Sequence, residues 1–331
     1  MKATEEQIST FERDGVICLR GLLNSKEVAG LASSVEEQIN DYGRSISGYD
    51  FESIAEQVWS EVDIVDVKTA SRFDLTATKN RVLSDKLARP LQEERNDPSN
   101  KGMFFYDAAA WRKYDAVRRV AFDSALPEVI ASLLRSQRLN FWEDATFVKP
   151  PGTRQKTAFH QDKAYFQISG NQCVIVWIPL DPTSRSNGTL QYVRGSHLSG
   201  DIFAPNVLFA QTFAKNAEGQ RLPDIEANPD EYDIVSFETE PGDVIVHHVH
   251  TVHGADGNMS DSDRRAMSFR YCGDDIRYLN LKGAVQQMDM THALKDGDAL
   301  NTSDYPVVWP KPWPSLSLAD VYQQHTPYPK T

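Results

Sequence analysis

The chain has 331 residues, 40% hydrophobic and 25% charged, with 35 Lys and Arg against 47 Asp and Glu, a formal charge of −12. That composition suits one large domain or two smaller ones, and so acidic a chain makes phosphate backbones and anionic lipid poor default partners. Apolar runs fall well short of the ~20 residues of a spanning helix, Met1–Asp14 lacks the apolar core of a secretory signal, and Cys18, Cys173 and Cys272 form neither a disulfide framework nor a zinc spacing. A cytoplasmic protein without nucleic-acid or membrane partners is the expectation.

In chain order, Thr4 with Gln7 reads as a capping box ahead of a helix carrying Ile8 and Phe11. Val16–Leu19 reads as a short strand after Asp14-Gly15. Asn24 or Ser25 then caps a helix that aligns Val28, Leu31, Val35 and Ile39. The stretch from Gly43 to Ala110 gives only mixed signals. Arg118 to Arg135 carries two helical patches, with Pro127 in the first turn of the second. Beyond it the pattern changes to short β-branched and aromatic runs separated by turn signals: Leu139–Lys149, Asn171–Leu180, Gly188–Val193, Gly242–Thr251 and Arg265–Cys272. This succession predicts a mainly β fold, a barrel or jelly roll with flanking helices from the N-terminal part. Ser199 to Asp233 reads as a long insertion. A tail with Pro306, Pro310, Pro312 and Pro314 is expected to wrap the surface.

The chemistry concentrates in Thr157-Ala158-Phe159-His160-Gln161-Asp162. In an extended segment His160 and Asp162 project from one face, an imidazole beside a carboxylate. The histidine-rich run Gly242–Gly254, with His247, His248, His250 and His253, offers candidates for a third ligand. Two histidines and one carboxylate on one face of an iron leave three positions open for cosubstrate and O₂, as in non-haem Fe(II) oxygenases. Zinc more often takes three histidines or a helical HExxH, neither of which is present.

An ordered series of motifs accompanies the HxD pair: Lys149-Pro150-Pro151-Gly152, Trp177, Asn187-Gly188, Gly195-Ser196-His197, Pro241-Gly242-Asp243, His253-Gly254, Asn258 and Arg264-Arg265-Ala266. Together with Phe11–Val16, this series resembles the phytanoyl-CoA dioxygenase (PhyH-like) family of Fe(II)- and 2-oxoglutarate-dependent oxygenases, from about Phe11 to Tyr271. The resemblance implies a double-stranded β-helix, a cupin-like jelly roll, as the core of a single domain: a helical part over 1–138, the β core over 139–275 and a tail over 276–331. It implies His160, Asp162 and His253 as iron ligands; on a regular strand His247 lies on the same face as His253, a candidate supporting residue. Arg264, eleven residues after His253, falls where the family's cosubstrate arginine stands, with Arg265 the runner-up should the register slip by one. On a strand from Arg264, alternation places Arg264, Ala266 and Ser268 on one face and Arg265, Met267, Phe269 and Tyr271 on the other. Trp177 matches a cavity-lining position.

The implied activity is oxidation of an unactivated C–H bond of a small molecule, by default hydroxylation, with Fe(II), 2-oxoglutarate and O₂ consumed to give succinate and CO₂. Asp162 stands where related halogenases carry Ala or Gly, which disfavours halogenation. Lys149, Lys163, Tyr165 and Phe166 are candidate substrate contacts, against ordinary packing or a solvated charge. Gly43–Ala110 and Ser199–Asp233 have no counterpart in the resemblance and are candidates for a lid. Two rival readings stand beside this one: an iron dioxygenase that uses no 2-oxoglutarate, and a non-catalytic jelly-roll protein with a metal pocket.

Overall fold

A computed structural model of the chain describes residues 1–40, 105–153, 156–206, 219–281 and 293–311. Its strands, in chain order, are β1 (Val16–Leu19), β2 (Phe105–Ala108), β3 (Leu139–Lys149), β4 (Thr157–His160), β5 (Ile168–Ser169) and β6 (Cys173–Pro179). They continue with β7 (Leu190–Val193), β8 (Ile234–Ser236), β9 (Val244–His248), β10 (His253–Ala255), β11 (Arg264–Cys272), β12 (Arg277–Tyr278) and β13 (Val307–Trp309). A large antiparallel sheet runs β1-β9-β6-β11-β3-β13, with β2 also on β3, and a small one runs β4-β10-β7-β8. The two sheets are those of a jelly roll, as the strand-rich second half predicts.

Four helices lie among the described residues: α1 (Glu5–Asp14), α2 (Ser25–Asn40), α3 (Asp115–Asp123) and α4 (Leu126–Leu133). The Thr4–Gln7 box caps α1. Asn24 caps α2, its side-chain oxygen accepting from the N–H groups of Lys26 and Glu27. The apolar stripes of these helices cover the outer face of the large sheet. Phe11, Leu31, Val35, Val117, Phe122 and Ile130 pack there with Phe141, Val176, Val246, Met267 and Phe269. Because side chains alternate along a strand, the other face of the same sheet is left to line the interior.

Two expectations need correction. The tail joins the fold: Val307–Trp309 pairs with β3, since its alternating apolar residues can complete a sheet edge despite the neighbouring prolines. Pro312 and Pro314 lie outside the described residues. The run Gly242–Thr251 is not one strand. It ends at His248, a turn closes when the Thr251 N–H donates to the His248 carbonyl, and β10 then starts in the other sheet. Within Ser199–Asp233, Leu222 and Ile225 pack on the small sheet with Phe159, Val193 and Val252. Residues 43–104 and 207–218, the rest of the candidate lid segments, lie outside the described residues.

Candidate metal centre

His160 closes β4, and Asp162 opens a 3₁₀ turn over Asp162–Tyr165. Gln161 between them is extended, with φ of −108° and ψ of 134°, and faces away to donate to the carbonyls of Asp201 and His250, so alternation brings the pair to one face as expected. His253 opens β10 directly opposite His160 in the antiparallel register, which sets their rings 4.3 Å apart. The glycine after His253 has a physical reason. A Cβ on Gly254 would lie 2.9 Å from the Thr157 carbonyl oxygen and 3.1 Å from the Phe159 nitrogen, so β10 approaches β4 this closely only with glycine there. Replacing it is expected to wedge the two strands apart: Gly254→Ala should lower iron affinity about 10- to 100-fold, the scale seen when residues supporting metal ligands are lost, as read by an Fe(II) titration. Gly188 has a similar role, with φ of 82° and the Asp256 carbonyl oxygen 2.6 Å from where a Cβ would stand.

The donor atoms of His160, Asp162 and His253 all lie within 4.8 Å of one another. The Nδ1 of His160 stands 2.8 Å from the Ala158 carbonyl and that of His253 3.0 Å from the Thr251 carbonyl. A carbonyl can only accept, so each Nδ1 carries the proton and each Nε2 keeps its lone pair for a metal. Each Nε2 is 3.6 Å from a carboxylate oxygen of Asp162. Burial, with His160 alongside, pushes the His253 imidazole well below its usual value, so it stays neutral. Burial alone would raise the Asp162 carboxyl, but the imidazoles of His253, His160 and His247 outweigh it and hold the group ionised. Two imidazoles and one carboxylate converging from one side fit a divalent transition metal with positions to spare.

His247 reaches the same carboxylate from the opposite sheet, its Nε2 3.1 Å from Asp162 Oδ2. The expectation that it shares a strand face with His253 fails because the chain turns between them, yet the two rings come within 4.4 Å across the interior. A donor on Oδ2 leaves Oδ1 as the freer oxygen. His248 and His250 point away from the centre and stack with each other, and His197 packs against His248. Burial pushes His248 down to about 3 and His250 to about 4. Unfolded histidines titrate near 6.5, so between these values the unfolded chain binds more protons. Stability is therefore complete above about pH 6.5 and falls as the pH drops toward 4. Urea unfolding across that window should show a shallower decline for His248→Asn than for the unmodified chain.

The inner face of β11 carries Arg264, Ala266 and Ser268, while Arg265 turns outward to ion pairs with Asp181 at 2.7 Å and Glu36 at 3.0 Å. Arg264 is 2% exposed, and its guanidinium lies over the Trp177 ring, 5.7 Å from the centroid. Burial lowers its pKa only to about 10, so it remains a cation. Its Nε, the Ser268 hydroxyl and the Tyr192 hydroxyl find no hydrogen-bond partner among the described residues. Ser268 pairs with Trp177 in register, and Tyr192 packs with Trp177 and Ala266. Three unmet buried polar atoms around one tryptophan, one on a cation, fit an anionic ligand with several acceptor oxygens. Tyr192 and Ser268 escape sequence reasoning in this role because nothing local marks a hydroxyl whose partner is missing.

The candidate substrate contacts are mostly engaged elsewhere. Lys149 sits beside Arg264 in register and donates to the Asp256 carbonyl at 2.7 Å. The Lys163 ammonium donates to the Ile168 carbonyl. Tyr165 sets its ring edge-on to His160 and donates to Asn206. Phe166 does face the interior, packed with Trp142 and Ile175. Arg270 and Glu143 also lie on the inner face; extending the β11 alternation by two more residues would have found Arg270.

A jelly roll with two imidazoles and one carboxylate converging inside it defines a barrel protein with a candidate metal site. The chain belongs to the phytanoyl-CoA dioxygenase (PhyH) family, which it matches over residues 11–266. A phytanoyl-CoA dioxygenase of Arabidopsis thaliana is 22% identical over 273 residues, 82% of this chain and 89% of that protein. A probable phytanoyl-CoA dioxygenase of Caenorhabditis elegans is 26% identical over 167 residues, 48% of this chain, and the match spans about half of that protein, 52% of its length. Among solved structures, the epimerase SnoN in complex with Fe3+, alpha ketoglutarate and nogalamycin RO has a TM-score of 0.62 at 19% identity, covering 92% of this chain and 98% of its own. The alpha ketoglutarate dependent carbocyclase SnoK has a TM-score of 0.59 at 20% identity, covering 92% and 96%. At these identities the likeness is one of fold.

Proposed function

We propose that this protein is an Fe(II)- and 2-oxoglutarate-dependent dioxygenase that oxidises, by default hydroxylates, a C–H bond of a small molecule. The observation that carries this reading is the convergence of His160, Asp162 and His253, donor atoms within 4.8 Å, inside a barrel of the PhyH family. The three residues hold Fe(II), and the family pairs that metal with 2-oxoglutarate and O₂. Metal, oxoacid and O₂ together supply an oxidant strong enough for an unactivated C–H bond, releasing succinate and CO₂.

What the chain itself contributes is positioning. The Ala158 and Thr251 carbonyls fix the imidazole tautomers, and His247 orients the Asp162 carboxylate. Arg264 takes the distal carboxylate of the oxoacid over the face of Trp177, and the apolar wall around Phe166 excludes water on the substrate side. The helical part, β core and tail act as one oxygenase unit. Three free thiols support a reducing compartment, the cytoplasm being the simplest; among the described residues no helix is long and apolar enough to cross a membrane.

The test is an anaerobic titration of metal-free protein with Fe(II) and then 2-oxoglutarate, followed by visible absorption. A weak metal-to-ligand charge-transfer band that His160→Ala abolishes is the expected result. Iron binding without such a band would overturn the cosubstrate assignment.

A further inference from the structure

One charged pair inside the barrel has no part in holding metal or oxoacid. Paired residues on neighbouring strands share a face of the sheet. The register His247–Ile175–Arg270–Glu143 crosses β9, β6, β11 and β3, and so puts Arg270 and Glu143 on the face from which His247 meets Asp162. Arg270 is two strand spacings from His247, about 10 Å. The oxoacid side of the chamber lies along the same strand in the other direction, where Arg264 reaches over Trp177 opposite Ser268. Arg270 and Glu143 are thus level with the cluster of His160, Asp162 and His253, and away from Arg264.

The pair is nearly inaccessible, at 6% and 2% exposure, with its charged atoms 3.6 Å apart. Taking both charges out of water is costly, and an apolar pair of the same volume would serve a fold at least as well. One side of it is apolar: the Arg270 guanidinium lies 5.5 Å from the Phe166 ring centroid, and Phe166 packs with Trp142 and Ile175. Phe166 follows Asp162 by four residues, which ties this wall to the metal centre. Opposite charges side by side against an apolar wall complement a ligand with the reverse arrangement. A lone anion would meet Glu143 and a lone cation Arg270, each a like-charge contact in a medium of low polarity. A zwitterion adds two attractions and leaves the net charge unchanged.

We propose that Glu143 and Arg270 anchor the substrate, and that the substrate is a zwitterionic small molecule of the amino-acid type, its carboxylate at Arg270 and its ammonium at Glu143. The assignment rests on the oxygenase reading for its chemistry, though not for its binding geometry.

The test uses the full chain with Fe(II) and 2-oxoglutarate under anaerobic conditions. The probes are the L-α-amino acids with their decarboxylated amines and deaminated acids, and binding is followed by saturation-transfer NMR and by perturbation of the charge-transfer band. At least one amino acid should bind, its two monofunctional analogues at least tenfold more weakly, and both Glu143→Gln and Arg270→Leu should weaken that amino acid tenfold or more. Glu143→Gln keeps shape and hydrogen bonding, so it decides the matter should Arg270→Leu fail to fold. Equal binding of the analogues, no binding by any amino acid, or variants that bind normally would overturn the proposal. Absence of the band with 2-oxoglutarate would instead sink the oxygenase reading, and the NMR arm would still decide this one.

Discussion

Asp162→Ala is expected to abolish iron retention and oxoacid turnover together. The carboxylate is the only anionic donor of the three-residue cluster, and its removal leaves two neutral imidazoles to hold a dication. It also leaves the His247 Nε2 without the acceptor it meets at 3.1 Å. Losing metal-based charge stabilisation worth several kcal/mol corresponds to a drop of roughly 100- to 1,000-fold or more in rate. Succinate release from 2-oxoglutarate and metal analysis of the purified variant measure the two losses. Retention of stoichiometric iron by Asp162→Ala, with normal succinate release, would place the metal elsewhere.

The second large effect belongs to Arg264→Met. A buried guanidinium against a carboxylate loses about 2–4 kcal/mol when truncated, or roughly 30- to 1,000-fold in Kd. The oxoacid should weaken by that factor, while 2-oxovalerate, which lacks the distal carboxylate, should bind the variant and the unmodified chain alike. Without cosubstrate the variant should melt no lower than the unmodified chain, because it removes a buried cation whose Nε has no partner among the described residues. Arg265→Met should show the reverse pattern, with unchanged oxoacid affinity and a lower melting point, since Arg265 ties β11 to Asp181 and to Glu36 of α2. Equal effects of the two substitutions on oxoacid affinity would count against the assignment of Arg264.

These contrasts show which parts of the site the chain states locally. The HxD pair, the His-Gly step after it and the two faces of β11 are readable because each depends on neighbours a few residues apart. Alternation alone separates Arg264 from Arg265 once the strand is given its start, and the structure places the first inside and the second outside. The jelly-roll class is readable for the same reason, from short strands and the turns between them. Gly254 is readable as a motif but not as a cause; only the 2.9 Å approach to the Thr157 carbonyl explains it.

Other features depend on which strands meet. The histidine run looks like one strand, and only the pairing of β9 with β6 and of β10 with β4 shows that it changes sheets, carrying His247 and His253 to opposite walls. Lys149, Lys163 and Tyr165 look available for substrate until backbone carbonyls and Asn206, distant in sequence except for Ile168, engage them. Glu143 and Arg270 are more than 120 positions apart and become neighbours through a register that a bulge beside Arg270 helps to set. The sequence by itself determined the fold class, the metal donor types and the faces of individual strands, because hydrophobic period and side-chain chemistry act over a few residues. The tertiary structure alone decided which donors converge, which cations are engaged and which charged pair lies on the inner face level with those donors, because those follow from strand pairing between segments far apart in the chain.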